Sequence, residues 1–118
     1  MPTIAGLPAS LPEISIAREL DKMGLAYEFQ NSFMGGRMVA GGFVADFYLA
    51  SYSLIISVLG EYWHYGLGQT ASDVLQALGM NSQGITVIFI DESDALKNPH
   101  WYISEALKGI DHSKLANK

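Results

Sequence analysis

The surroundings of Asp46 suggest chemistry, because this residue interrupts the otherwise apolar run Phe43–Leu49. A carboxylate inside an apolar strand is costly unless it is paired, hydrogen-bonded or bound to a metal ion. Asp46 is therefore a candidate metal ligand. The alternative is an aspartate that faces solvent on an edge strand or caps a turn.

The second candidate segment joins a strand to a histidine. The apolar run Leu54–Leu59 is followed by Gly60 and then by Glu-Tyr-Trp-His64. Glycine lets the chain turn where the strand ends, and strand ends are common positions for reactive groups. Histidine supplies a base, an acid or a metal ligand near neutral pH. The alternative is a structural histidine, partly buried among the neighbouring aromatic residues Tyr62, Trp63 and Tyr65.

Two further acids lie in the first turns of predicted helices. Glu13 follows Ser10 by three residues, and Asp73 follows Thr70 by the same interval. This is the spacing of a capping box, in which the carboxylate turns back to its own helix, and the helix dipole also favours an acid there. The two interpretations differ in geometry. In a metal site these carboxylates approach Asp46, whereas in a cap they do not.

Periodicity and capping signals predict the elements that hold these residues. Ser10 begins a helix that ends at Gly24. Apolar or alternating runs predict the strands Leu25–Phe33, Phe43–Leu49, Leu54–Leu59 and Ile85–Ile90. Further helices are predicted over Thr70–Leu78 and from Asn98, an N-cap followed by Pro99, to about Lys108.

The order helix-strand-strand-strand-helix-strand-helix predicts an α/β fold with one mixed sheet. The second and third strands should pair antiparallel through a turn at Ala50–Ser53. The helical crossover should bring Ile85–Ile90 parallel to Leu54–Leu59. Helices should flank this sheet.

Length and composition limit the class of protein. A chain of 118 residues, 49% hydrophobic and 16% charged, should fold as a single domain, 1–118, with residues 1–9 as an N-terminal arm and 111–118 as a frayed tail. The net charge of −5 excludes a histone-like basic arm. It does not exclude an enzyme that holds DNA phosphates through metal ions, because such a site is itself acidic. The absence of cysteine excludes disulfides and thiol nucleophiles.

The sequence also predicts where the protein acts and with what partner. The uncharged stretch Phe47–Gly60 is too short to span a bilayer, and no positive charge precedes Arg18 as a signal peptide would require. We expect a cytoplasmic protein, in the host cell if it is phage-encoded, with no membrane partner. The apolar content and the many aromatic residues predict a homodimer.

The order of the candidate residues resembles a known family. Glu13, Asp46, the run Gly60-Glu-Tyr-Trp-His64 and Asp73 are similar to the very-short-patch mismatch-repair endonucleases. They are more similar still to phage and intron-associated homing nucleases, whose signature is Glu, Asp, any residue, His, Asp. These nucleases are a branch of the PD-(D/E)XK superfamily. The resemblance covers Ser10 to Ile90 and implies a restriction-endonuclease-like core.

The resemblance implies a DNA endonuclease or nickase that uses Mg²⁺ or Mn²⁺. Asp46 would be the principal metal ligand, and His64 would activate water or protonate the leaving oxygen. Glu13 and Asp73 would bind the metal through water or orient the histidine. Secondary roles would fall to three residues: Ser57 as a hydrogen-bonding group, Glu61 as a substitute acid, and Arg37, in the glycine-rich turn, as a phosphate contact.

The chain also departs from the common superfamily pattern. That pattern has a Glu and a Lys two residues apart on the third strand, where this chain has Ser57 and Leu59. In the histidine-containing branch, His64 and Asp73 would compensate. The alternative is a catalytically inactive nuclease-fold protein that acts as a DNA-binding or phage/virion interaction module. The sequence leaves both open and does not specify the DNA structure recognised.

Overall fold

The structure, a computed structural model, describes residues 3–4, 6–33, 43–59 and 84–114. The strands are β1 (Thr3–Ile4), β2 (Leu7–Pro8), β3 (Glu28–Phe33), β4 (Phe43–Leu49), β5 (Leu54–Leu59) and β6 (Thr86–Asp91). The helices are α1 (Leu11–Lys22), α2 (Glu92–Lys97) and α3 (Pro99–Leu107), and a short 3₁₀ turn covers Ala50–Tyr52. The predicted helix Thr70–Leu78 lies outside the described residues.

Strands β3 to β6 form a four-stranded mixed sheet in sequence order. β4 pairs antiparallel with both β3 and β5. β6 pairs parallel with β5, in a register that joins Leu54 to Thr86 and Leu59 to Asp91. The antiparallel pair, its turn at residues 50–53 and the parallel last strand are therefore confirmed.

The helices pack on one face of this sheet. Ile16 and Leu20 of α1 are fully buried against a cluster that includes Phe47, Ile56 and Ile88. Ala95 of α2 and two residues of α3, Ile103 and Ala106, belong to the same cluster. The opposite face of the two parallel strands is buried as well, at Ile55, Leu59, Val87 and Phe89. Burial on both faces explains why β5 and β6 are almost continuously apolar.

Both predicted helix caps that lie in the described residues are present. Ser10 and Glu13 form a reciprocal capping box at the start of α1. Asn98 caps α3, accepting a hydrogen bond from the Trp101 amide at 3.3 Å, with Pro99 as the first helical residue. No helix of the described residues is long and apolar enough to cross a membrane.

The predicted N-terminal arm and C-terminal tail both contain structure that the sequence did not indicate. The N-terminal arm contains a short antiparallel hairpin, β1–β2, whose Ile4 is buried. Gly6 permits its tight turn because its φ is +82°, a conformation that favours glycine. At the other end, residues 111–114 of the expected frayed tail are instead held to β6 by hydrogen bonds. This anchoring pairs residues more than twenty positions apart, so local sequence signals do not reveal it.

One strand boundary and one short helix were also missed. β3 begins at Glu28 and not at Leu25, because the Leu25 amide is bonded to the Leu20 carbonyl at 3.0 Å and so belongs to the end of α1. The six-residue helix α2 was not predicted. Such short helices gain little from propensity and depend on tertiary packing, here through the fully buried Ala95.

Candidate active site

The candidate site lies at the edge of the sheet where β5 and β6 end. We call this the site edge and define it by Leu59 and Asp91, which are paired in register. Because β4 runs antiparallel to β5, the N-terminal end of β4 is directed toward the same end of the sheet as the C-terminal end of β5. Asp46 is in the N-terminal part of β4, and β5 is the strand from which the chain continues to Gly60 and His64. In α/β sheets, ligands commonly bind beyond the carboxyl ends of strands.

Asp46 lies on an inner strand of the sheet. β4 is paired on both sides, with Phe47 aligned to Phe29 of β3 and to Ile56 of β5. β4 is therefore an inner strand of the described sheet and not an edge strand. Ser57 lies on the neighbouring strand β5, where it is half-buried and paired with Phe89 of β6. The fold therefore places these two predicted residues on neighbouring strands.

Glu13 adopts the geometry of a helix cap. Its Oε1 accepts hydrogen bonds from the Ser10 amide at 2.8 Å and from the Ser10 hydroxyl at 3.1 Å, while the Glu13 amide donates to Ser10 Oγ at 3.3 Å. The capping interpretation of Glu13 is thus realised. Both of these bonds use Oε1, so the second carboxylate oxygen is not part of the cap.

The start of α1 is nevertheless at the same end of the sheet as the site edge. Ser15, two residues after Glu13, donates its hydroxyl to the Ala95 carbonyl of α2 at 2.8 Å. α2 begins immediately after Asp91, at the end of β6. The contact therefore ties the first half of α1 to the segment that leaves the site edge.

The remaining predicted residues, Arg37, Glu61, His64 and Asp73, lie outside the described residues. Among the residues that the structure describes, no group of three histidine, aspartate or glutamate side chains could hold a metal ion.

A second acidic position at the site edge was missed in the sequence. Asp91, the last residue of β6, is 4% exposed, and its Oδ2 accepts a hydrogen bond from the Lys114 amide at 3.0 Å. Its only sequence signal is an acid directly after an apolar strand. The edge is strongly acidic, because Glu92 and Asp94 follow in the first turn of α2. Burial raises the pKa of the nearby Tyr102 hydroxyl, and its hydrogen bond to Asp94 adds to the rise.

The two described histidines have carboxylate partners and not metal-site geometry. His100 Nδ1 lies 2.9 Å from Glu19 Oε2, which joins α3 to α1. His112 Nε2 lies 2.9 Å from Glu105 Oε1, and its ring stacks on Trp101 at a centroid distance of 4.7 Å. The hydrogen bond from His112, followed by that from Lys108, holds the pKa of Glu105 below its ordinary value. Both histidines stabilise the packing of α3.

Comparison with known proteins rests on the fold. No protein-family model matches the sequence, and no curated protein matches it significantly. Among solved structures, the catalytic domain of the homing endonuclease I-Bth0305I superposes with a TM-score of 0.61 at 23% sequence identity. The alignment covers 87% of this chain and 100% of that domain. This chain has the fold of a homing-endonuclease catalytic domain. At this level of identity the likeness establishes the fold, and it agrees with the nuclease-like α/β architecture expected from the sequence.

Proposed function

We propose that the protein is a metal-dependent DNA endonuclease or nickase of the very-short-patch-repair and homing-endonuclease type. The observation that carries the proposal is the fold shared over the whole I-Bth0305I catalytic domain. The order of Glu13, Asp46, His64 and Asp73 along the sequence supports it, because the same order of residue types defines the signature that the sequence resembles.

The donor set suits a hard divalent cation. Carboxylate oxygens are the ligands that Mg²⁺ and Mn²⁺ prefer. Asp46 fits such a site because it lies on an inner strand whose N-terminal end is directed toward the site edge. Glu13 would contribute through Oε2, because its Oε1 forms the cap. When bound, the cation would polarise a phosphate oxygen and lower the pKa of a water molecule.

The protein side chains would bind the cation, transfer protons and contact the phosphate. Asp46 would be the principal ligand, with Glu13 and Asp73 holding the cation through water or orienting His64. His64 would remove a proton from the attacking water or donate one to the leaving oxygen. Secondary contributions would come from Ser57 as a hydrogen-bonding group, Glu61 as a substitute acid and Arg37 as a phosphate contact.

A cleavage assay tests this proposal. Purified protein is incubated with supercoiled plasmid and with branched DNA, in separate reactions containing Mg²⁺, Mn²⁺ or a chelator. We expect nicked or linear products with the metals and none with the chelator. Products that are unaffected by the chelator would contradict the metal-dependent mechanism, and intact DNA in every reaction would contradict the endonuclease assignment.

The alternative function is a nuclease-fold protein without catalysis, acting as a DNA-binding or phage/virion interaction module. The observation that favours it is the presence of Ser57 and Leu59 at the strand positions where the common superfamily pattern has a Glu and a Lys. Such a module would bind its partner without cutting DNA. Under either function, we expect a cytoplasmic protein. We also expect it to dimerise, because a sequence-specific DNA interface buries about 1,000–2,500 Å² and a small domain has little surface to supply it.

A further inference from the structure

The C-terminal segment lies along the outer side of β6. Within the described sheet, β6 is the last strand, so one of its two edges has no neighbouring strand. There the Phe89 amide donates to Asp111 Oδ2 at 2.8 Å, and the Lys114 amide donates to Asp91 Oδ2 at 3.0 Å. We call residues Asp111 to Lys114 the strap. It follows β6 from the middle of the strand to the site edge.

The strap is fixed along its length. Asp111 Oδ1 accepts a hydrogen bond from the Ser113 amide at 2.8 Å, and Ser113 is only 1% exposed. His112 is held by Glu105 and by the Trp101 ring. Because the preceding three residues are anchored and its own amide is bonded, the backbone of Lys114 has a defined position beside Asp91.

Lys114 brings a positive charge to an acidic part of the molecule. It is exposed, and its backbone amide is bonded to Asp91, the residue directly before the helix whose first turn contains Glu92 and Asp94. The protein as a whole carries a net charge of −5, so an approaching phosphodiester meets overall repulsion. A lysine ammonium on its flexible four-carbon stem can neutralise a phosphate without a fixed angular geometry.

We propose that Lys114, held at the end of β6 by the strap, binds a backbone phosphate of DNA at the site edge. The inference rests on the proposed function, since it assigns a phosphate contact to the same site. Such a contact positions the duplex and carries no sequence information. Asp111 acts as a positioning residue, because its two hydrogen bonds fix the strap that presents the lysine.

Lys108 provides a matched control. It is also an exposed lysine near the C-terminus, but it lies at the end of α3, where it lines a cleft with Leu54 and Thr86. Those residues begin β5 and β6, so Lys108 is at the opposite end of the parallel pair from the site edge. Its ammonium is 3.2 Å from Glu105 Oε2.

The test compares DNA binding by the full chain and by Lys114→Gln, Lys114→Arg and Lys108→Gln. A labelled short duplex is titrated with Ca²⁺ present, between about 50 and 200 mM salt. Lys114→Gln keeps the backbone amide that donates a hydrogen bond to Asp91, so the strap should stay in place. We expect about three- to fivefold weaker binding at low salt and a salt-dependence slope reduced by about 0.9, as for the loss of one phosphate contact. Lys114→Arg should restore both quantities.

Two results would overturn the inference: a slope for Lys114→Gln equal to that of Lys108→Gln, or wild-type protein that does not bind the duplex at all. If Lys114→Gln shows the expected slope change but the wild-type protein cuts no DNA with Mg²⁺, the proposed catalysis is wrong and the phosphate contact is supported. Asp111→Ala should weaken DNA binding toward the level of Lys114→Gln, because it releases the strap that positions the lysine; binding equal to wild type would contradict its positioning role.

Discussion

At the scale of single residues, substitutions can separate the observed cap of Glu13 from the metal-site role proposed for it. Its Oε1 closes the capping box with Ser10, while the proposed function needs its negative charge near the metal. Glutamine can also occupy this position of a capping box. We therefore expect Glu13→Gln to change the free energy of unfolding little and to lower metal-dependent cleavage, measured by urea denaturation and by plasmid nicking.

Ser10→Ala is the control for this separation. It removes the hydroxyl that accepts from the Glu13 amide, which typically costs about 1 kcal/mol of stability. It leaves the carboxylate in place, so the cleavage rate at a temperature where both proteins are folded should stay near wild type. If Glu13→Gln cleaved as fast as wild type, Glu13 would be a cap and nothing more.

Glu105 supports a prediction on pH dependence. Its pKa is lowered from the ordinary 4.5 by hydrogen bonds from His112 and Lys108. A carboxyl group with a depressed pKa stabilises the fold above its unfolded-state pKa, and this contribution is lost as the pH falls through the folded value. The difference in Tm between wild type and Glu105→Gln should therefore shrink from about pH 6 to about pH 3. A difference that is constant or grows in acid would contradict the assignment.

Local signals made the caps at Ser10 and Asn98 predictable, because each cap spans only three residues. The residues that were missed act over long separations. Asp111 bonds to Phe89 across 22 positions and Lys114 bonds to Asp91 across 23. No periodicity or spacing rule links such partners. The candidate site residues were predicted from residue type and position, and the resemblance to a family is what joined them into one proposed site.

At the scale of elements, the strap should stabilise the outer edge of β6. Asp111→Ala removes the acceptor for the Phe89 amide and for the Ser113 amide. A partly buried amide left without an acceptor costs about 1–3 kcal/mol. We expect a loss of that size in urea denaturation, with Asp111→Asn losing less because its amide oxygen still accepts one bond. Unfolding midpoints for both variants equal to wild type would show that the strap does not hold β6.

The strands of the sheet core were predictable because their pattern and their partners agree. β5 and β6 are apolar on both faces, and a crossover between them favours parallel pairing. The hairpin β1–β2 has only two residues in each strand, and α2 has six residues. Elements of this length carry too little periodicity to predict, since packing against the core decides them.

At the scale of the whole molecule, self-association remains a prediction. Several large apolar side chains of the described residues are exposed: Leu11, Tyr52, Leu96, Trp101 and Ile110. Aromatic residues are enriched in the cores of protein interfaces. We expect a dimer in sedimentation velocity at micromolar concentration. A purely monomeric profile across that range would contradict the predicted dimer.

The most direct test of the central claim is metal-dependent cleavage by wild type and by Asp46→Asn, measured side by side with their Tm. The substitution keeps the size and shape of the side chain but removes the charge that would hold the cation. We expect wild type to nick plasmid with Mg²⁺ or Mn²⁺, and Asp46→Asn to fold with a similar Tm but not to cut. Asp46→Asn that cleaves as fast as wild type would contradict the assigned metal site, and wild type that never cuts would contradict the endonuclease itself.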